Sequence, residues 1–370
     1  MKNRAYLFFF PVLLLSFFIN ITVVAQINIS GKVIDENSGQ PLTGVSVYFN
    51  NTSIGTSTNA DGSFSFTGLK VPNTELIVSS IGYEILAYRI SATEDNGKHF
   101  LFKLTLKKEQ LKEVLVLTDA ARKKWLASFK DNFLGITEEA ASSKILNETS
   151  IYFTSGVSKN SFNAYADTAI IIRNEMLGYL IYFQLVEFGY NGLDKRTYFY
   201  GYTRYIEMGN KKKWIRNRRN CYYGSTLHFY RSLIANKLQE EGYYISLLKS
   251  VKTDTVLLKS HTAPKYQLVP ISGNILARRD SSNEDNYIMS SDDDVMVQYI
   301  KQPASKNYLL KKIMVQGNLK NGFTANMHFI KIPVGIDSYG IISDPLAVEY
   351  NGYWTYEKAA NMLPYNYTPD

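Results

Sequence analysis

Gly31-Lys32-Val33-Ile34-Asp35, Gly39-Gln40-Pro41-Leu42-Thr43-Gly44-Val45 and Gly55-Thr56-Ser57-Thr58-Asn59-Ala60-Asp61-Gly62-Ser63-Phe64-Ser65-Phe66 decide the fold of the N-terminal part of the chain. From Ile29 to Ile34 apolar and polar residues alternate, as a strand with one buried face requires. Asn37, Ser38, Gly39 and Pro41 then break the strand and turn the chain before Val45-Ser46-Val47-Tyr48-Phe49 resumes. Asp61-Gly62 supplies the turn of a tight hairpin, after which Phe64 and Phe66 share one face and Ser63 and Ser65 the other.

Leu76-Ile77-Val78 with Ile81, the alternating run from Phe100 to Lys107, and Glu113-Val114-Leu115-Val116 extend the pattern to about seven short strands, the signature of a β-sandwich. The combined Gly, Pro-Leu, Gly-Val, Gly-Thr, Asp-Gly and Phe-x-Phe positions of Gly31 to Val116 resemble the carboxypeptidase regulatory-like domain. That is a transthyretin-like sandwich module found in envelope proteins of the Bacteroidota. The resemblance implies an accessory module, because in metallocarboxypeptidases the similar domain stands beside a separate zinc-dependent catalytic one. A zinc peptidase of that class needs a His-x-x-Glu pair. None of His99, His228, His261 and His328 is followed by one.

Ahead of the module, Lys2 and Arg4 precede an apolar run from Tyr6 to Ile19, and Val23-Val24-Ala25 supplies small residues before Gln26. This is the pattern of a signal peptide over residues 1–25, and it places the chain in the Sec export pathway, bound for the periplasm or the outer membrane and cell surface. The 370 residues are 45% hydrophobic and 20% charged, enough to bury two cores. A formal charge of +8 raises nucleic acid as a partner. Export argues against nucleic acid and directs the charge to anionic envelope groups. The one cysteine, Cys221, has no internal disulfide partner and reads as a packed side chain.

Behind the module, the chain divides into a helical linker over 118–150 and a larger β-rich domain of α+β type over 151–370. Ala120, Ala121, Trp125, Leu126, Phe129 and Phe133 recur at helical spacing from Thr118 to Phe133, with Asp119 as the starting cap and Gly135 as the end. The pattern suits a helix packed against its own domain. Strands are expected at 169–173, 179–188, 197–206, 243–248, 254–258, 308–316 and 324–332, and a helix over 225–240 with Ser225 as its N-cap. This part resembles the second half of exported proteins that begin with the same module, at Phe133-Leu134-Gly135, Ile145-Leu146-Asn147, Leu177-Gly178-Tyr179 and Tyr223-Gly224-Ser225. The resemblance implies architecture and no chemistry.

Three features invite functional readings. Lys211, Lys212, Lys213, Arg216, Arg218 and Arg219 surround Trp214, a composition suited to gripping an anion or a glycan, or else a solvated hairpin tip. Ser225, His228 and Arg231 bring a hydroxyl, an imidazole and a guanidinium near a helix start, and would serve a hydrolase or transferase if they shared a cleft. Asp292-Asp293-Asp294 lacks the glycine and glutamate of a calcium loop and reads as a solvated turn. The sequence therefore favours a non-catalytic exported protein that binds an envelope protein or a glycan, with no cofactor and with peripheral association at the outer membrane. A catalytic second domain and an outer-membrane β-barrel are the alternatives, the latter drawn from 28 tyrosines and ten-residue alternating segments.

Overall fold

The computed structural model describes residues 26–70, 74–91, 94–107, 118–250, 266–282, 286–305, 308 and 322–369. The signal-peptide segment 1–25, the closing strand at 113–116, the strand at 254–258 and all but Tyr308 of the strand at 308–316 lie outside the described residues.

Seven strands form the N-terminal sandwich: β1 Ile27–Asp35, β2 Ser46–Phe49, β3 Gly55–Ser57, β4 Ser63–Leu69, β5 Glu75–Ser79, β6 Leu86–Arg89 and β7 His99–Leu104. They pair as a three-stranded sheet, β4-β1-β7, facing a four-stranded sheet, β3-β2-β5-β6. The alternation seen in sequence becomes the core, where Val33, Phe64, Phe66 and Phe102 of one sheet meet Val47, Phe49 and Val78 of the other. Burying each such side chain contributes about 1.5–3 kcal/mol. Asp35 organises the first turn by accepting from the backbone amides of Asn37 at 3.0 Å and Ser38 at 2.7 Å. The Tyr83 hydroxyl donates to the same carboxylate at 2.9 Å.

Helix α1, Asp119–Phe133, is capped by the Thr118 hydroxyl one residue ahead of the expected Asp119, and Gly135 follows it at φ 94. After the short α2, Glu138–Ala141, come β8 Ser143–Ile145, β9 Ile151–Ser155, β10 Phe162–Ala166, β11 Ile170–Asn174, β12 Tyr179–Tyr190 and β13 Thr197–Glu207. These strands make one six-stranded sheet, and β8 and α1 bring the 118–150 segment directly into its layer. The α1 rings cover the inner face: Trp125 stacks on Phe162 at 5.4 Å, Phe129 meets Phe188 at 4.7 Å and Phe133 meets Phe183 at 4.9 Å.

Two helices follow, α3 Lys212–Tyr222 and α4 Thr226–Ile234. The remaining elements are β14 Tyr243–Ser250, β15 Tyr266–Ile271, α5 Gly273–Leu276, β16 Ala277–Arg279, β17 Tyr287–Met289, β18 Val295–Tyr299, β19 Phe323–Phe329, β20 Val334–Ile336 and β21 Val348–Gly352. They form a five-stranded sheet, β15-β14-β18-β19-β21, and a three-stranded one, β16-β17-β20. The first packs Tyr243, Val297, Tyr299 and Met327 around Phe229 of α4 and Trp354. Among the described residues the strands thus divide among five sheets and none closes on itself, so the outer-membrane barrel expectation does not hold. The chain is mainly β, a sandwich followed by a larger β-rich part.

The sandwich is fastened to that larger part through backbone. Among the described residues β13 pairs within its sheet only with β12, and the β2–β3 turn occupies its other edge. The Asn51 amide donates to Thr203 O at 2.7 Å, the Tyr205 amide to Thr52 O at 3.0 Å, and the Thr203 amide to Asn50 Oδ1 at 3.0 Å. The C-terminal tail locks the same turn, with the Tyr365 amide donating to Asn51 O at 2.7 Å and the Ser53 amide to Asn366 Oδ1 at 3.0 Å. Arg231 holds the tail in turn. Its guanidinium donates to Tyr339 O at 2.9 Å, Tyr367 O at 2.7 Å and Tyr365 O at 2.8 Å.

Arg231→Ala removes three charge-assisted bonds at once and is expected to cost about 2–4 kcal/mol, read as a lower urea midpoint. Arg231→Lys should recover only part of the loss, because an ammonium has no fork with which to reach three carbonyls. Faster amide exchange at Tyr365 and Asn51 should accompany either change, and unchanged exchange there would show that the tail is held by other contacts.

Candidate functional site

The basic run around Trp214 is the helix α3, and the hairpin reading is corrected: Trp214, Arg218 and Tyr222 recur at four-residue steps and face inward together. The Trp214 indole donates to Glu175 O at 2.9 Å, and the ring fits against Gly178, where an added Cβ would stand 2.2 Å from it. Arg218 is buried, donating to Leu177 O at 2.7 Å and Gly178 O at 3.0 Å, and pairing with Glu207 at 3.0 Å. Its guanidinium also lies 3.9 Å from the centre of the Tyr179 ring. Lys211, Lys212, Lys213, Arg216 and Arg219 remain on the solvent side. The Lys211 ammonium folds back to 4.6 Å from the Trp214 ring. The seven residues thus separate into a buried clamp and an exposed cationic face.

Ser225, His228 and Arg231 share α4 but not a cleft. The Ser225 hydroxyl caps the helix, accepting from the His228 amide at 3.2 Å and donating to Tyr222 O at 2.7 Å. His228 is buried, and its Nδ1 accepts from the Gly224 amide at 3.2 Å and lies 3.0 Å from the Tyr243 hydroxyl. Nε2 is left to donate to Glu241 at 3.3 Å. Burial depresses the imidazole pKa to about 4, against the pull of Glu241, so the ring is neutral at pH 7. The Arg231 guanidinium is taken up by the carbonyls of Tyr339, Tyr365 and Tyr367. The hydrolase reading at His228 and Arg231 loses its geometric support, because each polar group is committed to the fold.

The acidic run forms cross-strand pairs, Asp293 with Lys249 and Asp294 with His328 Nδ1 at 2.6 Å, while Asp292 is exposed. Among the described residues no group of three or more His, Cys, Asp or Glu side chains is placed to hold a metal ion.

A cavity of about 600 Å³ lies where the sandwich, β13, the start of α4 and the C-terminal segment meet. Glu75 and Arg89 come from the sandwich, Tyr200 from β13, and Trp354, Glu357 and Asn361 from the C-terminal segment. Glu357 is half-buried there, and loss of solvation together with the nearby Glu139 carboxylate raises its pKa to about 8. Asn361 bridges the acid region, its amide donating to Glu139 Oε2 at 2.9 Å while its Oδ1 accepts from Thr137 at 2.9 Å. The Cys221 thiol lies 3.6 Å from Glu139 Oε1, and burial pushes its pKa well up, leaving it protonated and a poor nucleophile. The wall therefore combines ring faces, fixed amides, the carboxyls of Glu75 and Glu357, and a guanidinium. That suits a ligand rich in hydroxyls. Of the cavity lining, Cys221 and Ser225 were singled out from the sequence, whereas Glu75, Arg89, Tyr200, Trp354, Glu357 and Asn361 were not. They come from segments up to three hundred positions apart, and no local spacing marks them.

Glu357 makes stability depend on pH. The folded state retains a proton that the unfolded chain releases in the ordinary carboxylate range, so stability falls as pH rises from that range through about 8. Glu357→Gln is expected to remove this slope and to raise the melting temperature at pH 8 more than at pH 5. Equal shifts at both values would place the effect in packing instead of ionisation.

Comparison with known proteins adds one firm result. Among curated proteins none matches the chain. A solved protein of unknown function from Bacteroides fragilis NCTC 9343, described as a candidate membrane-associated protein, is 11% identical over 89% of this chain and 94% of its own, with a TM-score of 0.18. A candidate carbohydrate binding protein from Bacteroides uniformis ATCC 8492 is 10% identical over 67% of this chain and 99% of its own, also with a TM-score of 0.18. Superposition at that level carries no argument about fold or function. The family model of the CarboxypepD_reg-like domain matches residues 29–116, the span that forms the seven-stranded sandwich, and this part of the chain is a member of that family.

Proposed function

We propose that the protein is a non-catalytic binding protein, exported to the cell envelope, in which the sandwich and the larger part together hold a glycan in the cavity between them. The cavity carries the reading: its lining pairs the Tyr200 and Trp354 rings with the amides, carboxyls and guanidinium of Asn361, Glu75, Glu357 and Arg89. Ring faces match the apolar faces of sugars, and the fixed polar groups match their hydroxyls. The domain family supports the same reading, because the regulatory-like module is an accessory. The commitment of Ser225, His228 and Arg231 to the fold removes the catalytic arrangement suggested by the sequence.

Export rests on the pattern of residues 1–25 and gives the basic charge its use. Lys211, Lys212, Lys213, Arg216 and Arg219 face solvent on α3 and offer an anionic surface a peripheral contact, with Trp214 and Arg218 serving as the buried anchor of that helix. Nucleic acid is not a partner in this reading.

A ligand present at roughly a hundredfold excess over its Kd stabilises the fold by about 2.7 kcal/mol. Screening soluble oligosaccharides by thermal shift should therefore find at least one that raises the melting temperature, and Arg89→Ala or Asn361→Ala should abolish the rise. If no oligosaccharide moves it, the cavity is not a glycan site. For the cationic face, the protein should cosediment with phosphatidylglycerol vesicles at low salt and release at about 1 M salt, where charges are screened within about 3 Å. Substituting the five exposed cations with Gln should reproduce the release at low salt.

A further inference from the structure

The six-stranded sheet is phenylalanine-rich on its inner face and tyrosine-rich on its outer one. On the outer face the register sets Tyr152 opposite Tyr165, while Asn163 and Tyr198 both stand opposite Gly189, from its two sides. The rings of Tyr152 and Tyr165 stack at 5.5 Å with 20° between their planes. Tyr198 lies across the backbone of Gly189, where an added Cβ would stand 2.4 Å from Cε1 and 2.5 Å from Cζ. Only glycine opposite lets the ring settle onto the sheet.

Tyr198 settles there while remaining 55% exposed. Its hydroxyl donates to Glu187 Oε1 at 3.1 Å, and that of Tyr152 is bonded to Asp167. The hydroxyls are thus tethered to carboxylates at the rim, and the ring positions are fixed before any ligand arrives. Fixed aromatic surface with polar rims binds at low entropic cost.

We infer that Tyr152, Tyr165 and Tyr198 form an open binding site for a neutral polysaccharide, separate from the cavity. Sugar rings stack on the tyrosines, and sugar hydroxyls bond to Asn163, Glu187 and Asp167. The charge of the rim selects the occupant: Glu187 and Asp167 accept from hydroxyls but repel the carboxylates or phosphates of an acidic chain. None of Tyr152, Tyr165 and Tyr198 lines the cavity, although the cavity residue Tyr200 stands opposite Glu187 on the same face.

Native affinity electrophoresis of the full chain through gels containing glucan, mannan, xylan or polygalacturonate tests this. Retardation is expected in at least one neutral gel and not in polygalacturonate. Tyr198→Ala should weaken it about tenfold, the scale of one lost aromatic contact. Tyr198→Phe keeps the ring and should retain most of the binding, whereas Gly189→Ala, which lifts the ring without deleting it, should weaken binding as Tyr198→Ala does. Arg89→Ala, a cavity change, should leave the retardation intact, which separates this site from the cavity. The inference is overturned if no neutral gel retards the protein, if Tyr198→Ala and Gly189→Ala migrate as the wild type does, or if polygalacturonate is preferred.

Discussion

An unpaired strand edge is the constraint on which the rest depends. β13 is eleven residues long and its far edge would expose backbone donors and acceptors to any passing strand. The β2–β3 turn of the sandwich satisfies Thr203 and Tyr205, the tail satisfies Asn51, and Arg231 satisfies the tail. Four segments distant in sequence meet in one hydrogen-bond chain, each closing a group that the previous one leaves open. Removing the turn exposes backbone groups on both β13 and the tail. The sandwich is therefore fixed in place as a wall of the cavity instead of hanging as an accessory on a linker.

Burial decides the charge state of the polar groups around this junction. His228 and Glu357 are both neutral at pH 7, one because desolvation strips a proton and the other because it retains one. Their linkages have opposite sign. The neutral His228 stabilises the fold above its ordinary range and loses that contribution as pH falls toward about 4, while the protonated Glu357 loses its own as pH rises toward about 8. The two effects oppose each other between the ordinary carboxylate and imidazole ranges, so the interval of greatest stability lies there, on the acidic side of neutral. Two carbonyls, Glu207 and the Tyr179 face take the place of water around the buried Arg218 guanidinium.

The sandwich was legible because its alternation has period two and its turns use residues with few other uses. Asp35, Pro41 and Gly62 each sit where the chain reverses. Helix α4 was legible through Ser225, whose hydroxyl does what an N-cap serine should. Helix α3 was not, because charge density obscured its periodicity: Arg218 counts as a solvated residue in a composition but as a core residue in the fold. The three-residue strands β16, β17 and β20 carry too few positions for any period to show. The cavity was illegible for a different reason. Glu75, Tyr200 and Glu357 become neighbours through the docking of the sandwich, and sequence patterning reports local repeats rather than docking.

The abundance of tyrosine, ambiguous in the composition, is explained by position. In the interior, the buried hydroxyls of Tyr48, Tyr179 and Tyr339 have no hydrogen-bond partner among the described residues. Desolvation raises the phenols of Tyr230 and Tyr243, by contrast, which act as neutral hydrogen-bonding groups, and the Tyr230 and Tyr350 hydroxyls meet at 2.5 Å. A phenylalanine there would pack as well and leave a partner unsatisfied. On the outer sheet face the ring and the hydroxyl are used the other way round: the hydroxyl is tied to a rim carboxylate and the ring is left open. The same residue type thus closes polar groups inside and offers a tethered ring outside, so the tyrosine count alone could indicate neither a barrel nor a binding face. On the outer face Gly189 opposite Tyr198 lets the ring lie against the sheet and still face solvent, while Tyr152 and Tyr165, opposite each other, hold their rings by stacking.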